Sequence, residues 1–241
     1  MEGLQSVSEA LLSPYAPDCL LCNQRGMEAM EAYADVIRDR SIACYSVTDE
    51  VIATLAGTVT PQGVIAVMPL VHVDLDRLLG LGPSIVLVAN RVRDPGNLGN
   101  MIRIADAAGA EGMVIGAESV DLYNPKTVRS SAGSVFHLPL AVREEVPGLV
   151  QRLKRDGYTV LAASPHAGTG MWEMRWPGRM ALVMGNEAWG MPAEEEALVD
   201  GLVRIPLFGK AESLNVAAAT AVLLYEVRRQ RAHGGSEGVD G

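Results

Sequence analysis

The chain has 241 residues, 49% of them hydrophobic, and a formal net charge of -9. That composition supports one large buried core or two modest ones, and the acidic balance counts against a uniformly basic nucleic-acid binder, although only local charge meets a phosphate. No apolar run reaches the ~18 to 20 residues that span a bilayer, and the start MEGLQSVSEALL lacks the basic and apolar regions of a secretory signal, so a soluble cytoplasmic protein is expected.

In chain order, EGLQSVSEALL reads as a helix from the spacing of Leu4, Val7 and Leu11, and DCLLCN as a short strand. Cys19 and Cys22 form a C-x-x-C on that strand. Residues three apart on a strand face opposite ways, so buried thiols are expected rather than a chelate or redox pair. GMEAMEAYADVIRDR reads as one amphipathic helix, IACYSV as a strand, DEVIATLAG as a short helix and GVIAVM as a strand. Residues 1–68 thus make a small α/β unit, with about nine carboxylates against three basic groups, followed by a connector over 69–83. From residue 84 the strands become continuous apolar runs: SIVLVA, GMVIG, FHLPLAV, YTVLAA, MALVM and GLVRIP. Such runs suit a parallel sheet covered on both faces, and the helical segments between them make the fold class α/β. The polar, Gly-rich tail over 234–241 is expected to be disordered. The four histidines show no metal-ligand spacing, so no metal is expected.

Three segments beside strand ends carry the chemistry. In NRVRDPGNLGNMIRIADAAG, Asp94-Pro95-Gly96 signals a turn and Asn97 is the expected helix N-cap. Leu98, Met101, Ile102 and Ala105 form the buried stripe. Arg103 shares the other face with Gly99 and Asn100, and Gly99 is expected to leave room there for an anion or a ribose. In ALVMGNEAWGM, Gly185 and Gly190 bracket Asn186 and Glu187 at the carboxyl end of a strand, where open α/β sheets place ligands. In VRIPLFGKAESLNVAAATAVLLYE, a loop crosses Gly209 and a small-residue helix is expected from near Ser213. Ser213 or Asn215 there could simply cap the helix, and the alanines from Ala217 to Ala221 fit either a subunit interface or tight internal packing. No G-x-G-x-x-G follows the first strand of this region, and Gly209-Lys210 leads to Ala211, so neither dinucleotide nor P-loop signatures are present.

Taken together, these three blocks resemble the SpoU/TrmH family of RNA ribose 2′-O-methyltransferases, over about residues 84 to 230. The resemblance implies S-adenosyl-L-methionine as cofactor and a methyltransferase domain over 84–233 with a carboxy-terminal trefoil knot. It places Gly185, Ile205 and Leu214 at the cofactor. It places Asn97, Arg103, Glu187, Ser213 and Asn215 at catalytic and site-building positions, and Arg129 at substrate phosphate. Arginine stays protonated in proteins, so Arg103 is expected to bind phosphate and stabilise an emerging alkoxide rather than to act as a neutral base. Residues 1–68 resemble the ribosomal-protein-like RNA-binding domain of rRNA-modifying members, without its usual leading helix and strand. That architecture favours 23S ribosomal RNA as substrate, with a transfer-RNA methyltransferase or a non-catalytic RNA-binding protein as alternatives. It also implies a homodimer with shared active sites.

Overall fold

The computed structural model describes residues 1–186 and 189–234. The amino-terminal part runs α1 (Leu4–Leu12), β1 (Cys19–Cys22), α2 (Gln24–Met30), α3 (Ala34–Asp39), β2 (Ala43–Ser46), α4 (Asp49–Leu55) and β3 (Val64–Val67). Its three-stranded sheet has the order β2-β1-β3, with β2 parallel and β3 antiparallel to β1. The single amphipathic helix expected over this part is two helices joined by a 3₁₀ turn at Glu31–Tyr33. Both strand-borne thiols are free, with Cys22 buried and Cys19 half-buried.

The chain continues through α5 (Leu75–Gly80), β4 (Ile85–Ala89), α6 (Pro95–Ala107), β5 (Gly112–Gly116), α7 (Pro125–Ser130), β6 (Leu140–Glu144), α8 (Val146–Arg155), β7 (Thr159–Ala163), β8 (Met180–Met184), α9 (Ala193–Glu196), β9 (Gly201–Val203) and α10 (Val216–Gly234). The six strands form one parallel sheet in the order β6-β5-β4-β8-β7-β9. Alternate residues of β4 serve opposite layers. Ile85, Leu87 and Ala89 pack with Leu98, Met101 and Ile102 of α6 and Leu223 and Leu224 of α10. Val86 and Val88 pack with Leu78 of α5 and Leu149 and Leu153 of α8. Helices on both faces explain the unbroken apolar runs, since neither side of these strands meets water.

Several local expectations change here. The connector over 69–83 contains α5, whose Leu78 and Leu79 are buried in the sheet core. FHLPLAV is a 3₁₀ turn at Ser134–Phe136 and then a strand from Leu140. The last helix begins at Val216 rather than near Ser213, and it continues to Gly234, beyond the expected start of the tail; residues 235–241 lie outside the described ones. That helix is also better covered within the chain than its composition implies. Val216, Ala217, Thr220, Leu223, Leu224 and Val227 are buried, leaving Ala218, Tyr225 and Arg229 on the open side.

The two parts of the chain are in contact. Ala10 of α1 joins the core above the six-stranded sheet, and the Tyr123 hydroxyl accepts from the backbone N–H groups of Val71 and His72 at 3.0 and 3.1 Å.

Candidate active site

The strand order reverses between β4 and β8: β5 and β6 extend one way, β7 and β9 the other. Loops leaving the carboxyl ends of strands diverge at such a switch point and open a crevice. A cavity of ≈ 430 Å³ lies there, lined by Ala163 and Ser164 after β7, Gly185 after β8 and Ile205 after β9, with Leu214 and Val216 leading into α10. Its volume falls in the range of small-molecule sites, on the order of 300–1,000 Å³.

Gly185 is required by close approach. A Cβ there would stand 2.5 Å from the Gly190 carbonyl carbon and 2.7 Å from the Met191 nitrogen, so any side chain would push the returning backbone away. Asn186 and Gly190 close the turn with reciprocal backbone hydrogen bonds of 2.9 Å, and Gly190 takes a φ of 69° that glycine adopts freely. Glu187 lies outside the described residues. Trp189, 86% exposed, stands at the lip of the cavity. Among the described residues lining the cavity, the charged side chains are Glu196 and Glu212, both carboxylates.

The first motif is built differently from its expectation. Asp94, not Asn97, caps α6: its Oδ1 accepts from the Asn97 backbone N–H at 2.8 Å, and Pro95 fills the first turn, where a missing N–H costs nothing. The hydrogen bond from Lys126, at 3.0 Å, and then the Asn97 N–H hold the Asp94 carboxyl below the usual carboxylate value. Asn97 is thereby freed for a tertiary role, and its Oδ1 accepts from Asn215 Nδ2 at 2.8 Å. Asn215 is the residue that caps α10, its Oδ1 accepting from the Ala217 and Ala218 N–H groups at 2.9 and 3.3 Å. One side chain therefore orients the last helix and ties it to the first motif. Ser213 and Leu214 line the cavity just before that cap.

Gly99 does not leave open space. A Cβ there would stand 2.4 Å from the Thr127 carbonyl oxygen and 2.5 Å from Ser130 Cβ, so this glycine lets α6 and α7 pack backbone to backbone. Arg103 is exposed on α6, makes no hydrogen bond or ion pair among the described residues, and does not line the cavity. Arg129, on α7, is half-buried beside Gly57 of the amino-terminal part, with Nη1 out of solvent and without a hydrogen-bond partner among the described residues. It lines a groove of ≈ 650 Å³ between the amino-terminal part and α7.

Sequence reasoning overlooked Ala163, Ser164 and Pro165. Their signal is modest: small residues and a proline directly after an apolar strand. Asn90, Arg91 and Glu195 were also missed, a polar group behind the cavity, buried at Asn90 and Glu195, that no local pattern announces.

A doubly covered parallel sheet with a glycine-cradled cavity at its switch point defines a small-molecule-binding α/β protein. Comparison with known proteins is specific. The SpoU rRNA Methylase family matches residues 84–225, and the MRM3-like substrate binding domain matches residues 1–66. The chain belongs to the SpoU rRNA methylase family. It is 37% identical over 228 residues to the 23S rRNA (guanosine(2553)-2'-O)-methyltransferase RlmP of Bacillus subtilis, covering 95% of this chain and 87% of that one. It is 37% identical to the 23S rRNA (uridine(2479)-2'-O)-methyltransferase of Streptomyces viridochromogenes, covering 72% and 62% respectively. Among solved structures, an AdoMet-bound rRNA methyltransferase from Sinorhizobium meliloti superimposes with a TM-score of 0.83 at 32% identity, covering 95% of this chain and 86% of that one. The SpoU methyltransferase AviRb from Streptomyces viridochromogenes, in complex with AdoMet, gives 0.84 at 28% identity, covering 97% and 90%.

Proposed function

We propose that the protein transfers a methyl group from S-adenosyl-L-methionine to a ribose 2′-hydroxyl of RNA, with 23S ribosomal RNA as substrate. The observation that carries this reading is the cavity at the β4/β8 switch point, built from three strand-end loops in a chain of the SpoU family. Its chemistry fits the cofactor. Val203, Ile205, Leu207 and Leu214 offer apolar surface, and two carboxylates, Glu196 and Glu212, favour a cationic ligand. Gly185, Ile205 and Leu214 would hold the cofactor together with Ala163 and Ser164, since all five line the cavity. When bound, the cofactor supplies an electrophilic methyl group on a sulfonium that needs no acid to leave.

Within the chain, Asn97 and Asn215 form the hydrogen-bonded pair that keeps α6 and the start of α10 in register, and Ser213 stands beside them at the cavity wall. Positioning of the ribose by this group, with Glu187, accounts for much of the rate. Arg103 remains a cation and stabilises the alkoxide and the adjoining phosphate. Arg129 contacts substrate phosphate from the groove beside α7, and its Nη1, without a partner among the described residues, is consistent with that role.

The working unit in this reading is a cytoplasmic homodimer whose carboxy-terminal segment follows a trefoil-knotted path. Its support is that Arg103 is exposed, unpaired among the described residues and absent from the cavity wall of its own chain, so a second copy can receive it. Ala218 and Tyr225 on the open face of α10 offer an apolar surface for the pairing. No helix among the described residues is long and apolar enough to cross a membrane, and no group of three or more His, Cys, Asp or Glu among them could hold a metal.

Calorimetry tests the cofactor directly: S-adenosylmethionine or its demethylated product should bind without metal, whereas binding of NAD or ATP instead would overturn the assignment. Complementation tests the shared site. Arg103→Ala and Asn215→Ala chains, each inactive alone, should regain up to about half the activity per dimer when mixed. No recovery despite verified subunit exchange would mean that each site is built within one chain.

A further inference from the structure

Arg91, just past β4, has a φ of 56°. That left-handed conformation favours glycine, and a side chain persists there only where its surroundings hold it. Here the guanidinium bridges two carboxylates. Nη1 donates to Glu195 Oε1 at 2.6 Å, and Nη2 donates to Glu118 Oε1 at 2.8 Å. Glu118 is half exposed, so its contact is screened by water. Glu195 is different: it is 4% exposed, and its other oxygen accepts from Nδ2 of Asn90, itself 3% exposed, at 2.6 Å. The Arg91 carbonyl in turn accepts from Asn186 Nδ2 at 2.9 Å.

The cluster therefore joins the carboxyl ends of β4 and β8 to the short α9. Neither Arg91, Asn90 nor Glu195 lines the cofactor cavity, but their neighbours do: Asn186 from the β8 end, and Met191, Ala193 and Glu196 from the turn and α9. One side of α9 faces the cavity while Glu195 reaches back to the β4 end. A buried carboxylate is costly unless paired and hydrogen-bonded, so the place of this single-turn helix depends on the Arg91 and Asn90 contacts.

We propose that Glu195 and Arg91 are positioning residues that hold α9 and the Asn186–Gly190 turn at the spacing the cofactor requires. The proposal rests on the cofactor reading given above. It assigns to a half-buried ion pair behind the cavity a share of cofactor affinity, not of RNA recognition or of the chemical step.

The test compares the full-length wild type, Glu195→Gln, Arg91→Gly and the double variant, by calorimetry with S-adenosylmethionine and its demethylated product, by thermal melts and by steady-state kinetics. Glu195→Gln keeps the shape but removes the charge, and Arg91→Gly removes the guanidinium while relieving the left-handed backbone. Each single variant should bind the cofactor roughly tenfold more weakly, the scale of one charge-assisted hydrogen bond. KM for the cofactor should rise accordingly, with kcat at saturation and KM for RNA within about threefold of wild type. The double variant should lose much less than the product of the two single losses, because both act through one contact. A lowered melting temperature with unchanged cofactor affinity, or a loss confined to kcat, would overturn the proposal. Should Glu195→Gln fail to fold, Arg91→Gly carries the same comparison. A wild-type chain that binds neither ligand overturns the cofactor reading and this proposal with it. Wild-type binding with equal affinity in the folded variants overturns this proposal alone.

Discussion

Every residue of β4, β5 and β8 in the six-stranded sheet is buried, whereas every residue of β2 in the three-stranded sheet is exposed. Both regions alternate strands and helices, yet one is covered on two faces and the other leaves an edge strand open to water. In the large sheet the covered strands act as rigid posts whose carboxyl ends converge on a cavity, and three of its loops meet there. The small sheet has a shorter core, centred on Leu20, Cys22, Val64 and Ala66, and an exposed outer surface. A site for a small molecule needs fixed walls, and a surface for a large partner needs access. The large region has the fixed walls, and the small one has the exposed face.

The sharpest test of that division is Arg103, which belongs to the large region but faces outward. Arg103→Ala should reduce methyl transfer to ribosomal RNA by about 10²–10³-fold, the scale of a lost transition-state donor, with cofactor affinity by calorimetry changed only a few-fold. Arg103→Lys should also be poor, because a point charge does not replace a planar fork of donors. Near-normal turnover by the lysine variant would show that the arginine supplies charge alone.

A pair of core truncations separates the regions next. Leu182→Ala at the centre of β8 and Leu20→Ala on β1 both remove fully buried leucines, and each should cost about 2–5 kcal/mol in denaturant unfolding. Only Leu182→Ala should weaken cofactor binding in the folded fraction, because only β8 leads into the Gly185 turn. Equal weakening by both would show that the two sheets share their stability.

Glycines sharpen the contrast between touching and open positions. Gly99→Ala drives a Cβ into the backbone of α7 and should destabilise by about 1–3 kcal/mol. Gly148→Ala in α8 meets nothing within 4 Å and should stabilise by up to about 1 kcal/mol through helix propensity. Melting curves of the two variants should move in opposite directions.

The smallest effect is a pH dependence within the small region. Burial, and then the neighbouring Cys44, push the Cys22 thiol from 9.0 up to about 11. The folded chain thus keeps this proton more tightly than the unfolded chain. The contribution is complete below pH 9 and fades as pH rises from 9 to about 11. Stability should fall over that window by on the order of 1–2 kcal/mol, and Cys22→Ala should flatten the fall.

Much of the large region was legible in the sequence because its signals are local. Continuous apolar runs mark strands buried on both faces, and the stripe of Leu98, Met101, Ile102 and Ala105 marks the inner side of α6; all four are fully buried. Short elements were not legible. The helix α7, six residues long, and the single-turn α9 have too few residues to show a period, and α5 was hidden inside an apparent connector. The cap of α6 was misassigned because both Asp94 and Asn97 are good caps. The choice between them depended on Pro95, which favours the first helical position and so puts the cap at Asp94.

What the amino-acid order determined by itself is the alternation of strands and helices, the glycine-bracketed turn after β8 and the three motif blocks, since each depends on residues close together in the chain. Only the tertiary structure decided the meaning of the residues that meet across it. Gly99 became a helix-packing contact because Thr127 and Ser130 of α7 lie against it. Asn97 turned from a cap into the partner of Asn215, 118 positions away. Glu195, one of three consecutive glutamates in the chain, became a buried ion-pair partner of Arg91, 104 positions away. Neither an apolar period nor a turn signal encodes such pairs, because their energy arises only when chain folding brings the two groups together.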